Sequence, residues 1–235
     1  MNSKLLSSRV CDVHLWKYCL QNPVSEVSLA LLSAEEKEVM RRMSRYEDRK
    51  QYMLVHSFLK RVLESYLHLP PDEIEFAEGV NGKPILKCNH SHPPFHFSLS
   101  YRHDYALLAI SSEPCIGVDV EEVKPIENIF HFMTDHFSRD ERKRILIEKT
   151  EKRQLSILFT FWAMKEALIK SLSVGFSGSI KKYEVLSFLK KPLGLPDFDL
   201  ANNWWIDTVP IAKNYKAAFA LKAGKVNTKI FEYNF

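Results

Sequence analysis

Four side chains in this sequence have the types and spacing that chemistry on a charged group requires: Asp119, Glu121, Glu166 and Lys170. The first two lie inside the short apolar run IGVDVEEV, Ile116 to Val123. On a strand, residues two apart share a face, so both carboxylates point one way while Ile116, Val118 and Val120 point the other. Like charges that close repel unless a cation or a proton sits between them. A strand with one solvated acidic face is the plain alternative, and the run by itself does not choose. Glu166 lies in RQLSILFTFWAMKEALIKS, where Trp162, Glu166 and Lys170 recur at i, i+4 and i+8 along one helix face. There the plain reading is a surface salt bridge between Glu166 and Lys170, worth ~0.3–0.5 kcal/mol. Against it stand the apolar flanks FWAM and ALI, which enclose the glutamate, and the second cation, Lys165, beside it. A strand Asp-x-Glu plus a helix Glu makes three oxygen ligands, the set a hard cation such as Mg²⁺ takes while keeping waters and phosphates besides. A lysine one turn along reaches the same phosphate.

The flanking sequence must supply the elements that hold these groups. Residues 9 to 18 alternate loosely and predict a first strand. Ser33 with Glu36 three places on is a capping box, opening a helix that runs to about Met43. A second helix spans about Tyr46 to Leu67, with Tyr52, Val55, Leu59, Val62 and Leu63 at helical spacing, and Leu69-Pro70-Pro71 ends it. Strands are expected at IEFAEG (74 to 79), FHFSLS (95 to 100) and YALLAISS (105 to 112), the last two joined by the turn RHD. Asn81-Gly82-Lys83-Pro84 reads as a turn. Beyond Pro125 a basic and acidic helical region covers roughly 139 to 151, and the strongest helix in the chain covers about 153 to 171. Gly175 and Gly178 break it, and three strand-like runs follow: KYEVLSF, NWWIDTV and YKAAFALKA. Both halves run from helices into strands, which predicts an α+β chain of two similar lobes with antiparallel strands, 1–114 and 115–235, although the letters show no repeat.

Bulk properties narrow the classes. The chain has 235 residues, enough for one large domain or two small ones, and its formal charge is +4. That mild excess suits an acidic partner or a phosphate-rich ligand and demands neither, a nucleic-acid binder being a remote third reading. No apolar run approaches membrane-spanning length. The N-terminus lacks a signal-peptide core, which makes a cytoplasmic location the expectation. Cys11, Cys19, Cys88 and Cys115 show no C-x-x-C pairing, so neither a zinc knuckle nor a disulfide framework is suggested. His90, His92 and His96 form an H-x-H cluster in a polar, proline-containing loop without further cysteine ligands at suitable spacing. Arg142-Lys143-Arg144 reads as a solvated helix face or as a greeting for an acidic helix, and Trp204-Trp205 as core.

Ile116-Gly117-Val118-Asp119-Val120-Glu121, followed by Trp162-Ala163-Met164-Lys165-Glu166-Ala167-Leu168-Ile169-Lys170, resembles the two signature motifs of the 4'-phosphopantetheinyl transferases of the larger, monomeric type. Asn81-Gly82-Lys83-Pro84, Phe95 to Ser100, Glu47-Asp48-Arg49 and Phe137-Ser138 with Glu141 resemble further family segments. The resemblance implies two lobes related by a pseudo-twofold axis, with coenzyme A (CoA) in the cleft between them. It implies transfer of the 4'-phosphopantetheine arm of CoA to a serine of an apo acyl or peptidyl carrier protein, expected to be acidic, with release of 3',5'-ADP. The larger type primes nonribosomal peptide and polyketide synthases. By the same resemblance Asp119, Glu121 and Glu166 hold Mg²⁺ or Mn²⁺, Glu166 is the general base, and Lys170 and Lys165 contact phosphate. Lys83 and Pro84 border the adenine, Ser98 donates to the 3'-phosphate, and Arg49 binds the cofactor. One departure stands out: Leu99 occupies the place of the family's 3'-phosphate-binding histidine. Loss of such a charged contact costs ~1.5–3 kcal/mol, for which Arg49, Lys50 or His103 are the candidate replacements. The rival class is an inactive relative that only binds nucleotide or carrier. The intact Asp119, Glu121, Glu166 and Lys170 set argues against it.

Overall fold

A computed structural model of the chain describes residues 10–21, 26–79, 84–87, 95–172, 179–186, 197–199, 204–223 and 225–234. Asn81, Gly82 and Lys83 of the expected turn, His90 and His92, and Gly175 and Gly178 lie outside the described residues, whereas Pro84 is described and opens a strand. The chain begins with β1 (Val10–Cys19), followed by α1 (Glu26–Ala30), α2 (Ala34–Arg42) and α3 (Tyr46–Leu67). The Ser33 capping box forms as expected: Ser33 Oγ accepts from Glu36 N, and Glu36 Oε2 accepts from Ser33 N. Four strands come next: β2 (Phe76–Glu78), β3 (Pro84–Leu86), β4 (His96–Arg102) and β5 (Tyr105–Ser111). The second half opens with β6 (Ile116–Glu122) and continues with α4 (Ile129–His136), α5 (Arg139–Leu146) and α6 (Glu151–Ser171). It closes with β7 (Asp197–Asp199), β8 (Trp204–Thr208), β9 (Tyr215–Lys222) and β10 (Lys225–Tyr233).

Two four-stranded sheets result, ordered β10-β1-β5-β4 and β6-β9-β8-β7, with β2 and β3 as a separate ribbon. The two halves share a connectivity. In each, the opening strand pairs with the last strand of the set (β1 with β5, β6 with β9), and that strand pairs with the one before it. In each, a long helix of 22 or 21 residues intervenes. The sheets pack face to face through Val13 and Leu15 of β1, Leu107 and Ala109 of β5, Val118 and Val120 of β6, and Phe219 and Leu221 of β9. The outer face of the first sheet is covered by α3, which sets Val55, Phe58, Leu59 and Val62 against Ala106, Leu108 and Ile110. That of the second is covered by α6, which sets Leu158, Phe161 and Met164 against Ala218 and Ala220. Both faces of β5 and β9 are thus buried, which is why YALLAIS and YKAAFALK read as nearly unbroken apolar runs.

Three departures from the sequence expectations matter most, besides the unexpected short elements α1, β3 and β7. The first sheet is mixed rather than antiparallel, because β10 returns from the far end of the chain to pair parallel with β1. Its letters, KVNTKIFEY, are half polar, as an edge strand allows. KYEVLSF is not a strand where it is described. Ile180–Lys182 forms a 3₁₀ turn, and Val185 N donates to Glu141 Oε1 instead of to a neighbouring strand, while Ser187 and Phe188 lie outside the described residues. Finally, α4 precedes the expected helical region, its Asn128 N-cap accepting from His131 N.

Candidate active site

The acidic set of β6 does not face solvent. Gly117, Asp119 and Glu121 point toward α6, and the opposite set, Ile116, Val118 and Val120, enters the core between the sheets. Helix and strand can stay in register over this stretch because their advances match. From Trp162 to Ser171 a helix covers about 13 Å, and from Glu121 back to Gly117 a strand covers about 13 Å. At one end Trp162 Nε1 donates to Glu121 Oε1 at 3.1 Å. At the other the backbones touch: a Cβ added at Gly117 would lie 2.1 Å from the Ala167 carbonyl oxygen and 2.5 Å from Ser171 N. The glycine is required by this close approach.

Between these two ends lies the chemistry. Lys170 Nζ is 2.6 Å from Asp119 Oδ1, so its ion pair is with the strand aspartate. The surface bridge to Glu166 does not form, and Glu166 makes neither a hydrogen bond nor an ion pair with any described residue. Asp119 is only 4% exposed, and its second oxygen, Oδ2, is buried with no hydrogen-bond partner. Burial first, then the charges of Asp119 and Glu121, together push the Glu166 carboxyl up to about 7 against the opposing pull of Lys170. Glu121 is raised for the same reasons, burial and then Asp119, with Arg102, Trp162 and Lys170 opposing. Three part-buried, mutually repelling carboxylates with an orphaned carboxylate oxygen favour a cation or a shared proton. Among the described residues no three His, Cys, Asp or Glu side chains are already gathered as a metal cage. The donor set is nonetheless all hard oxygen, and the unpartnered Asp119 Oδ2 is the atom that fits Mg²⁺.

The facing strand contributes Ser100 and Arg102, which sequence reasoning passed over, and gives Ser98 a contact other than the expected one. Ser98 Oγ accepts from Val118 N at 3.2 Å and Ser100 Oγ from Val120 N at 3.4 Å, so two hydroxyls two residues apart stitch the edge of the first sheet to the edge of the second. Ser100 also donates to Asp119 Oδ1 and accepts from Lys170 Nζ, both at 3.0 Å. Arg102, at the end of β4, places Nε 3.5 Å from Glu121 Oε2. The spacing Ser98-x-Ser100 on a strand was the available signal, since it matches the Val118-x-Val120 period opposite.

Family models match both halves: 4'-phosphopantetheinyl transferase, N-terminal, over residues 16–113, and the 4'-phosphopantetheinyl transferase superfamily over residues 115–220. The chain belongs to the 4'-phosphopantetheinyl transferase superfamily. A putative 4'-phosphopantetheinyl transferase of Synechocystis sp. is 27% identical over 219 residues, 91% of this chain and 88% of that protein. The 4'-phosphopantetheinyl transferase HetI of Nostoc sp. is 26% identical over 99% of this chain and 95% of its own length. The L-aminoadipate-semialdehyde dehydrogenase-phosphopantetheinyl transferase of Homo sapiens is 30% identical over 70% of this chain, and the match spans 54% of that protein.

Within the transferase, several expected contacts are placed elsewhere. Lys165 is fully buried and forms an ion pair at 2.9 Å with the equally buried Glu141. It also donates to the Tyr183 and Ile180 carbonyls. It therefore has no surface from which to touch a phosphate. It instead ties α6 to α5, since Glu141 is the N3 residue of the Ser138 capping box. The two motif residues Glu141 and Lys165 are thus each other's partners, a pairing of distant segments that no local pattern announces. Burial lowers the Lys165 pKa and Glu141 opposes the shift. Ser98 is 2% exposed, and its hydroxyl serves the β4–β6 stitch, not an open pocket. Arg49 Nη1 donates to the Met43 and Ser44 carbonyls beyond the end of α2. Leu99 lies on the opposite face of β4 from Ser98 and Ser100 and packs against the α3 core. His103, in the β4–β5 turn at φ 45°, faces Glu122 at 3.2 Å. Pro84 opens β3, paired with Glu78.

Proposed function

We propose that the Asp119, Glu121, Glu166 and Lys170 site binds the diphosphate of CoA with Mg²⁺ and moves the 4'-phosphopantetheine arm onto the serine hydroxyl of an apo carrier protein. The carrier oxygen forms a bond to the β-phosphorus, the bond from that phosphorus to the bridging oxygen breaks, and 3',5'-ADP leaves. The observation that carries this reading is the enclosed carboxylate set with its orphaned oxygen, lined up against a lysine on one face of α6. Asp119, Glu121 and Glu166 would hold the metal, which when bound offsets charge developing on the diphosphate. Without a cation, burial leads the Glu166 carboxyl up to about 7; beside the metal it would be the ionised carboxylate that accepts the serine proton directly or through a water. Lys170 neutralises the leaving phosphate.

The reading includes two lobes, 1–114 and 115–235, related by a pseudo-twofold, with CoA in the cleft between them. The shared strand order supports this, and β10 is then lent by the second lobe to the first. Lys83, Pro84 and Arg49 remain the candidates for the nucleotide end. An acidic carrier fits the surface depression where Arg139, Arg142 and Lys143 adjoin Phe130, Met133 and Leu146. A cytoplasmic location fits the free Cys11, Cys19 and Cys115, a monomer is what the resemblance to the larger type implies, and no described helix is long and apolar enough to cross a membrane. Labelled CoA incubated with purified apo peptidyl carrier tests the proposal. Label should reach the carrier with Mg²⁺ or Mn²⁺ and not in EDTA, and Asp119→Ala should abolish transfer while keeping the fold. Tight carrier binding without transfer would favour the inactive-relative reading instead.

A further inference from the structure

Ser100 occupies a junction that none of the motif residues explains. Its hydroxyl has one proton and two acceptor sites. The proton goes to Asp119 Oδ1 at 3.0 Å, and the acceptor side receives Lys170 Nζ at 3.0 Å and Val120 N at 3.4 Å. The residue is 7% exposed, so water does not readily replace these partners. Asp119 Oδ1 is thereby doubly engaged, by Ser100 and by Lys170 at 2.6 Å, while Oδ2 is left buried and unpartnered. Rotation of the carboxylate would break two bonds at once. The serine comes from β4, the edge of the first sheet, whereas Asp119 and Lys170 both belong to the second half of the chain.

We propose that Ser100 is a positioning residue, contributed across the gap between the sheets, that locks the Asp119 carboxylate and the Lys170 ammonium together so that Asp119 Oδ2 is the oxygen offered to a divalent cation. This rests on the metal reading of the same site. It makes the first half of the chain part of the metal site's support, although it supplies none of the expected ligands. Outer partners that orient a ligating carboxylate typically change metal affinity 10- to 100-fold when removed.

Ser98 provides the control. It makes the matching stitch to Val118 N at 3.2 Å, and no hydrogen bond joins it to Asp119 or Lys170. Mn²⁺ affinity is measured by electron paramagnetic resonance on the full chain without CoA, beside melting temperature, for wild type, Ser100→Ala, Ser100→Thr and Ser98→Ala. Ser100→Ala should weaken Mn²⁺ binding by about tenfold or more. Ser100→Thr, which keeps the hydroxyl, should stay within about threefold of wild type. Ser98→Ala should lower the melting temperature about as much as Ser100→Ala and leave Mn²⁺ affinity unchanged. Equal Mn²⁺ affinity in wild type and Ser100→Ala, or equal losses in Ser98→Ala and Ser100→Ala, would overturn the proposal and reduce Ser100 to a structural stitch. If Ser100→Ala does not fold, Ser100→Thr against the near-isosteric Ser100→Val makes the same comparison of hydroxyl present and absent. Wild type that transfers the arm but binds no Mn²⁺ would remove the metal reading and this proposal with it. Wild type that binds Mn²⁺ with Ser100→Ala unchanged removes this proposal alone.

Discussion

Replacing Gly117 by alanine should disable the enzyme without touching a single reacting group. The added methyl would stand 2.1 Å from the Ala167 carbonyl oxygen and 2.5 Å from Ser171 N, where ordinary contact begins at 3.4 Å. Both neighbours are backbone atoms of α6 or its last turn, so no side chain can swing aside, and the helix must retreat by roughly 1 Å. An overpacked site of this kind costs about 1–3 kcal/mol, which in a chain of this length lowers the melting temperature by about 2–4 °C per kcal/mol. The catalytic cost should be larger. Lys170 is adjacent to the clash, and its 2.6 Å contact with Asp119 sits on the displaced turn. Misplacement by about 1 Å is enough for a loss near 10²-fold in turnover. The assay is transfer of a fluorescent phosphopantetheine arm to apo carrier in excess, run beside a thermal melt. Turnover should fall by about 10²-fold at a temperature where the variant is fully folded. Wild-type turnover together with a wild-type melting temperature would refute the backbone contact between β6 and α6, and with it the placement of Lys170.

Lys170→Ala should raise the KM for CoA as well as slow turnover, because a lysine contacts phosphate in ground and transition states alike. Lys170→Arg should recover only part of the loss, and unchanged steady-state kinetics in the alanine variant would contradict the assignment. Glu166→Gln should lower turnover by ~10² or more, with full activity sinking its role as base. Lys165→Met leaves the buried Glu141 without its cation, so it should cost about 3–5 kcal/mol in a denaturant melt; a large rise in CoA KM with normal stability would instead return Lys165 to the phosphate. Glu36 gives the acid limb of stability. Burial pushes its carboxyl up, but the hydrogen bonds with His56 and from Ser33 N and the ion pair with Lys60 at 2.6 Å overrule this and hold it at about 2 against an ordinary 4.5. A group depressed on folding contributes stability above its unfolded value, lost as pH falls from about 4.5 through about 2. Melting temperatures over that interval should decline less steeply in Glu36→Gln than in wild type, and parallel curves would contradict the assignment.

Much of this protein was legible from spacing alone. Residues two apart share a strand face and residues four apart share a helix face, so Asp119 with Glu121, and Trp162 with Glu166 and Lys170, could be grouped before any fold was known. The capping box at Ser33 and the length of α3 follow from local chemistry in the same way. What lay beyond local rules was the choice of partner. Whether Lys170 pairs with Glu166 one turn away or with Asp119 51 positions away depends on where β6 lies beneath α6, and Gly117 decides that by letting the two backbones touch. Lys165 has the same residue type as Lys170 and sits five positions earlier, yet it points into the core toward Glu141, because a helix turns 100° per residue and only one of the two faces meets β6. The serine pair of β4 and the parallel return of β10 join segments separated by most of a sheet or most of the chain. Sequence periodicity determines which side of an element a residue occupies. Only the packing of one element on another determines what stands on that side, because the energies that select it come from contacts between distant segments.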